Sequence, residues 1–269
     1  MSKNNSTKIL RWNQGNVKLP ARIIHFSLPS GHSCPAALKC LAKSDYHTGK
    51  ITDGRQQTYR CYAAMQEARH TRIRHQRWDN FKALRRLGRK STFILLKDSL
   101  LNIHDKYFAD HQQYPIIRAH VGGDFFKEDY FLAWMDLAEH FNTTQFYSYT
   151  KRIDLWVMHM DNIPMNFELN ASRGGKFDDL IDIHKLKSAE VVFSVDEATQ
   201  KGLELDHDDS HAYTPGPSFA HLIHGCQPAG SDASKALSQL KKDIGWTGYS
   251  KDTKANTKGH NQVLLGATN

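Results

Sequence analysis

Cysteine is scarce in this chain: Cys34, Cys40, Cys61 and Cys226 are the four among 269 residues, too few for a disulfide scaffold. Long apolar runs are missing as well. Phe93-Ile94-Leu95-Leu96 falls far short of the roughly 18–20 residues of a bilayer crossing, so no transmembrane span is expected. The first sixteen residues are polar and hold Lys3, Lys8 and Arg11 without the apolar stretch of a secretory signal, which makes a cytoplasmic protein the expectation. In that reducing setting cysteines serve as thiols or metal ligands. What is present is an ordinary globular composition, 39% hydrophobic or about 45% with the 17 glycines, in a chain long enough for one large domain or two small ones.

The net charge of +8 is unevenly spread. Residues 69–90 hold nine basic side chains and one acid, Asp79, whereas residues 178–209 hold ten acids and three lysines. One basic and one acidic face follow, and nucleic acid or another polyanion is the partner the first would attract. Seven of the nine cations are arginines, suited to bidentate phosphate contacts. Arg69, Arg72, Arg74, Arg77, Arg85 and Arg86 are the candidate contacts, on the outer face of one or two amphipathic helices that bury Ile73, Phe81, Leu84 and Leu87. Trp78 and Phe81 would add base stacking on a single strand. A solvated charged face is the alternative.

Strand-like segments at 23–28, 116–121, 145–149, 166–171, 189–195 and 219–224 alternate with helix-like ones, of which 130–140, 153–160 and 231–242 are the clearest. The succession predicts an α/β fold with a mostly parallel sheet, a partial (β/α) barrel of about six units, and functional loops at the carboxyl ends of the strands. The predicted organisation is a polar N-terminal arm (1–20), a single α/β domain (21–246) and a flexible C-terminal tail (247–269).

Cys34, Cys40 and Cys61 form a C-x5-C-x20-C arrangement whose first two members follow the first main strand. Three thiolates can bind three irons of a [4Fe–4S] cluster and leave the fourth open; Cys226 or His32 as a fourth ligand would close the site, as zinc or iron–sulfur. The long gap fits no compact metal knuckle, and buried apolar cysteines are the third reading. His120 and Asp124 flank Gly122-Gly123 at a strand end, where they can form an acid/base pair or bind metal, or else serve as a core histidine and a helix cap. A metal-dependent nuclease could be built on His120, Asp124 and a later histidine. Lys151, between Thr150 and Arg152, can grip a carboxylate or phosphate. His207-Asp208-Asp209-Ser210-His211 reads as a solvated loop, and His221 and His224, three apart on a strand, point to opposite faces.

Several strings together resemble a phage-encoded family, the gene product 88 family: Phe26-Ser27-Leu28-Pro29 leading into Ser33-Cys34-Pro35, Cys61-Tyr62-Ala63, His120-Val121-Gly122-Gly123-Asp124-Phe125-Phe126, Phe146-Tyr147-Ser148-Tyr149-Thr150-Lys151, and His221-Leu222-Ile223-His224-Gly225-Cys226-Gln227-Pro228. They run in order over roughly residues 16–242, and the resemblance implies a phage or prophage origin, in a host cytoplasm, rather than a reaction. Cysteines ahead of Cys-Tyr-Ala, followed by a strand ending in Gly-Gly-acid, are more loosely similar to radical S-adenosylmethionine enzymes. That similarity implies a [4Fe–4S] cluster on Cys34, Cys40 and Cys61, with the methionine amino group of S-adenosylmethionine received at Gly122, Gly123 and Asp124. It also implies reductive cleavage of that cofactor to modify a nucleic acid, nucleotide or protein. The usual C-x3-C-x2-C spacing is departed from, so residues 41–60 would have to loop out. The rival class is a non-catalytic nucleic-acid-binding protein with a structural zinc or iron–sulfur site.

Overall fold

The computed structural model describes residues 10–249. The chain enters as β1 (Asn13–Gln14) and β2 (Ile23–His25), then a hairpin of β3 (Ala42–Ser44) and β4 (Ile51–Asp53), and three helices, α1 (Tyr62–Arg69), α2 (Thr71–Leu84) and α3 (Arg89–His111). Strands and helices alternate from there: β5 (Ile116–Arg118), α4 (Glu128–His140), β6 (Gln145–Thr150), α5 (Ile153–Met158), β7 (Phe167–Ser172), α6 (Asp178–Ile183), β8 (Ser188–Val192), α7 (Val195–Gln200), β9 (Glu204–Leu205), α8 (Ser210–Tyr213), β10 (Phe219–Leu222) and α9 (Asp232–Ile244).

The strands form one eight-stranded sheet in the order β1-β2-β5-β6-β7-β8-β10-β9, parallel throughout except for the β1–β2 pair. This is the α/β fold with a mostly parallel sheet that the alternating pattern predicts. Strands covered on both faces are largely apolar on both, and β2 and β5 are buried at every position, with His25 and Arg118 as their polar members. On the face covered by α3 and α4, Phe26, Leu28, Ile117, Phe146 and Leu169 pack with Trp134, Phe131 and Leu96. The opposite face holds Ile23, Ile116, Tyr147 and Phe219 under Leu19 and Ala212.

Three features depart from the sequence reading. The stretch 41–60 contains the β3–β4 hairpin, which packs against α1. The strand expected at 189–195 ends at Val192, because the Ser194 hydroxyl accepts the Glu197 amide at 3.0 Å and caps α7. The helix expected at 153–160 breaks into α5 and a 3-10 turn, Met160–Asn162. Of the expected N-terminal arm, Leu10, Trp12 and Leu19 are buried, and the Trp12 indole donates to Ser99 at 2.9 Å. At the other end Tyr249 packs on Trp246 and His224, while residues 1–9 and 250–269 lie outside the described residues. No described helix is long and apolar enough to cross a membrane.

Candidate functional site

Parallel strands all deliver their following loops to one edge, and the loop after β2 carries Cys34 and Cys40 along that edge. It is anchored there by backbone bonds: Leu28 N to Gly122 O at 2.7 Å, Leu38 and Lys39 N to Gly174 O at 3.2 and 3.0 Å, and Lys176 N to Ala36 O at 2.9 Å. The cysteine loop therefore lies against the ends of β5 and β7. The hairpin occupies most of the long gap in the motif and returns the chain to Cys61, directly ahead of α1.

Cys34, Cys40 and Cys61 are all half-buried. Burial pushes the Cys34 thiol well above its ordinary range, with Asp124, Cys61 and Cys40 adding to the shift. Burial, then Cys40, push Cys61 up to about 11, opposed by the amides of Ala64 and Ala63 at the start of α1. Each of the three sulfurs is thus within electrostatic reach of the other two. Among the described residues no three His, Cys, Asp or Glu side chains converge as ligands of a single ion would. Cys226 is exposed, with its sulfur accepting from Arg69 Nη2, and its neighbour Gln227 accepts from Arg60 N at 2.6 Å, so its segment runs beside that of Cys61. His32 is turned to the Ser44 carbonyl (3.1 Å) and the Trp78 ring. The polar contacts of both alternative fourth ligands thus run to other groups, Cys226 to Arg69 and His32 to Ser44.

The Gly-Gly turn sits under the cysteine loop. A Cβ on Gly123, at φ +91°, would fall 2.6 Å from Leu28 Cβ and 2.7 Å from Ser33 Oγ, so the close approach of these two loops itself demands glycine. Asp124 is almost wholly buried. It accepts from Phe125 N at 2.7 Å, Thr150 Oγ1 at 2.7 Å and Lys151 N at 2.9 Å, so its carboxylate ties the β5 loop to the β6 loop. Burial raises its pKa, and those three bonds oppose the rise. The Lys151 ammonium is likewise engaged, donating to Ser172 O, Ser172 Oγ and Arg173 O at 2.6–2.9 Å. Arg152 pairs with Asp154 at 2.7 Å. His120 bonds Tyr130 OH at 3.0 Å and Ser148 Oγ at 3.4 Å, and burial with nearby Arg118 takes its pKa down to about 3. His120, Asp124 and Lys151 thus all have their polar atoms engaged by other groups of the protein.

A cavity of about 250 Å³, a little under the roughly 300–1,000 Å³ of small-molecule sites, opens between the cysteine loop and the ends of β7 and β8. Lys39 and Tyr59, the near neighbours of Cys40 and Cys61, line one side and Arg173, Gly174, Glu190 and Phe193 the other. Burial raises the Tyr59 pKa, and next Cys40 and Cys61, so this wall lies within electrostatic reach of those sulfurs. Sequence reasoning missed Tyr59, Arg173 and Glu190, since nothing in the chain announces that β8 ends beside the cysteine loop.

The basic stretch divides in two. Arg69, Arg72, Arg85 and Arg86 are exposed, as expected. Arg74 and Arg77 are 2% and 4% exposed and are removed from the set of surface contacts. Arg74 bonds the carbonyls of Glu67 (2.6 Å) and Tyr46 (2.9 Å), and Arg77 pairs with Glu67 at 2.7 Å. The buried face of α2 reads Arg74, Arg77, Asn80, Leu84, a polar stripe at helical spacing where an apolar one was expected. His207 to His211 is no open loop either: Asp206 and Asp209 are fully buried, and Asp209 takes Lys18 Nζ at 2.6 Å, Tyr147 OH at 2.9 Å and Arg118 Nη1. His221 bonds Tyr149 OH at 3.2 Å within the same cluster.

A family model described as gene product 88 matches residues 1–241. No curated protein and no solved structure matches the chain.

Proposed function

The chain belongs to the gene product 88 family, a phage gene product family, and on that premise we propose that it is an iron–sulfur protein whose cluster is held by Cys34, Cys40 and Cys61. What supports the reading is that the fold brings three half-buried thiols, Cys34, Cys40 and Cys61, to the carboxyl edge of the sheet, where each feels the charge of the others. Thiolates are the ligands that iron–sulfur clusters take, one to each iron. With Cys226 turned to Arg69, three protein ligands leave one iron without a protein ligand, which is the condition for a substrate or cofactor to approach.

When bound beside S-adenosylmethionine, such a cluster supplies the electron for reductive cleavage of that cofactor. This chain's contribution is binding and orientation. The Asp124 carboxylate is already spent on the two loops, so recognition of a zwitterionic amino acid moiety passes to the cavity, with Arg173 for a carboxylate and Glu190 for an ammonium. Both are now paired, Arg173 with Asp182 (2.6 Å) and Glu190 with Lys201 (2.6 Å), and a ligand would exchange those partners. A polyanionic substrate, single-stranded nucleic acid foremost, suits the exposed cations of the insert between β2 and β5. Lys43, Lys50, Arg72, Lys82, Arg86 and Lys90 are exposed there and make no ion pair with described residues.

The test is the iron, sulfide and zinc content, with an absorption spectrum, of protein purified without oxygen, for wild type and Cys61→Ala. About four irons and four sulfides per chain, with absorption near about 400 nm lost in the variant, supports the reading. Stoichiometric zinc or no metal overturns it. Anisotropy of a labelled single-stranded oligonucleotide tests the partner: Arg72→Glu with Arg86→Glu should weaken binding at least tenfold and flatten its salt dependence, and no change withdraws the polyanion.

A further inference from the structure

Glu67 on α1 and Arg77 on α2 are 0% and 4% exposed, and the pair does more than neutralise itself. Glu67 Oε1 accepts from Ser30 N and Ser30 Oγ, both at 2.9 Å, and from Arg77 Nη1 at 2.7 Å. The same Nη1 donates to the Ala63 carbonyl at 2.9 Å, and Nη2 to Gln66 Oε1 at 2.8 Å. On its remaining side the guanidinium lies against the Gly-Gly turn, where a Cβ on Gly122 would stand 3.0 Å from its Cζ and Nη1. Ser30 is four residues before Cys34, and Ala63 two residues after Cys61. One buried ion pair therefore touches the loop of the first cysteine, the helix that begins at the third, and the turn beneath both.

We propose that the Arg77–Glu67 pair is the positioning device of the cysteine site, holding the Cys34 loop, the Cys61 helix start and the Gly122 turn in one register. This rests in part on the iron–sulfur reading. Stability alone gives little reason to keep such a pair, because well-packed apolar side chains of similar volume often do as well. A planar fork that donates in several fixed directions is what apolar packing cannot supply. Glu67 Oε2 has no hydrogen-bond partner among the described residues, which leaves Arg77 as its main compensation.

Two measurements separate this from the cluster reading. In the metal-free full chain, alkylation of each cysteine by iodoacetamide is followed by mass spectrometry for wild type, Arg77→Met, Arg77→Lys and Lys187→Met. The last breaks the ion pair with Glu168 (2.8 Å) at the amino ends of β7 and β8, the opposite edge of the sheet, and controls for lost stability. Arg77→Met should speed modification of Cys34 and Cys61 at least tenfold and leave Cys226 unchanged, Arg77→Lys should restore part of the protection, and Lys187→Met should do neither. Equal effects of Arg77→Met and Lys187→Met overturn the proposal, as does no effect of Arg77→Met. In iron-loaded protein, Arg77→Met leaves Glu67 uncompensated and should move the reduction potential down, while Glu67→Gln should move it up. Shifts of the same sign refute the electrostatic part. A wild type that takes no iron but shows the alkylation pattern ends the iron–sulfur reading and leaves the positioning role standing.

Discussion

Replacing Asp209 by Asn removes one charge and almost no volume from the most heavily charged interior point of the protein. Asp209 is fully buried, at φ +68°, and faces Lys18 Nζ at 2.6 Å, Arg118 Nη1, and Tyr147 OH at 2.9 Å. Burial alone would raise its pKa, but Arg118 and Lys18 overcome that and hold it below the ordinary carboxylate value. Each cation gains about 4 kcal/mol or more from a charge at this range in a medium of effective dielectric near 20. Part of that gain survives the change, because Lys18 keeps Asp206 at 3.2 Å, and Arg118 keeps the His120 carbonyl at 2.9 Å and the Tyr149 ring at 4.8 Å. The expected loss is about 3 kcal/mol, the lower end of the cost of stranding a buried charge and a large share of a total stability of about 5–15 kcal/mol. Urea unfolding followed by tryptophan fluorescence measures it, and the double variant with Arg118→Met should recover part of the loss through the coupling of the two sites. A loss under about 1 kcal/mol, or simple additivity, would refute the argument that these charges hold one another.

Stability should peak near neutral pH. Burial lowers His120 and His221 to about 3 and His25 and His224 to about 4, so each adds stability above its unfolded value of 6.5 that is lost as pH falls toward those values. His211, raised to about 9 by its bonds to Asp206 and Glu204, contributes fully below 6.5 and stops contributing as pH rises through 9. A melting temperature that stays flat down to pH 4 would contradict this. Gly123→Ala should cost about 3 kcal/mol from a strained positive φ and contact with Leu28 and Ser33, read as a shifted urea midpoint. Lys151→Met should lower stability by about 2 kcal/mol by orphaning the carbonyls of Ser172 and Arg173; unchanged stability with lost activity would return Lys151 to a chemical role.

Much of the architecture was legible because its signals are local. β-branched runs mark strands buried on both faces, Gly122-Gly123 marks a strand end, and Ser231 caps α9 by accepting the Ser234 amide. α3 was not legible, since its buried face of Thr92, Leu96, Ser99, Leu100, His104 and Tyr107 mixes polar with apolar residues. The burial of Arg74 and Arg77 had a faint signal in Glu67, seven and ten residues earlier and the lone acid between Asp53 and Asp79. Nothing near Asp206 or Asp209 in the chain announced Lys18 or Arg118 as partners, because those contacts close over 188 and 91 residues.

The sequence by itself determined the alternation that makes a parallel sheet and the residue types that gather along its carboxyl edge, since strand periodicity and glycine punctuation act over a few residues. Tertiary structure alone decided which cations face water and which are buried beside the cysteine segments, which groups engage Asp124 and Lys151, and that Cys226 meets Arg69. Burial and pairing are properties of what packs opposite a side chain, and here the opposite residue lies from 7 to 188 positions away.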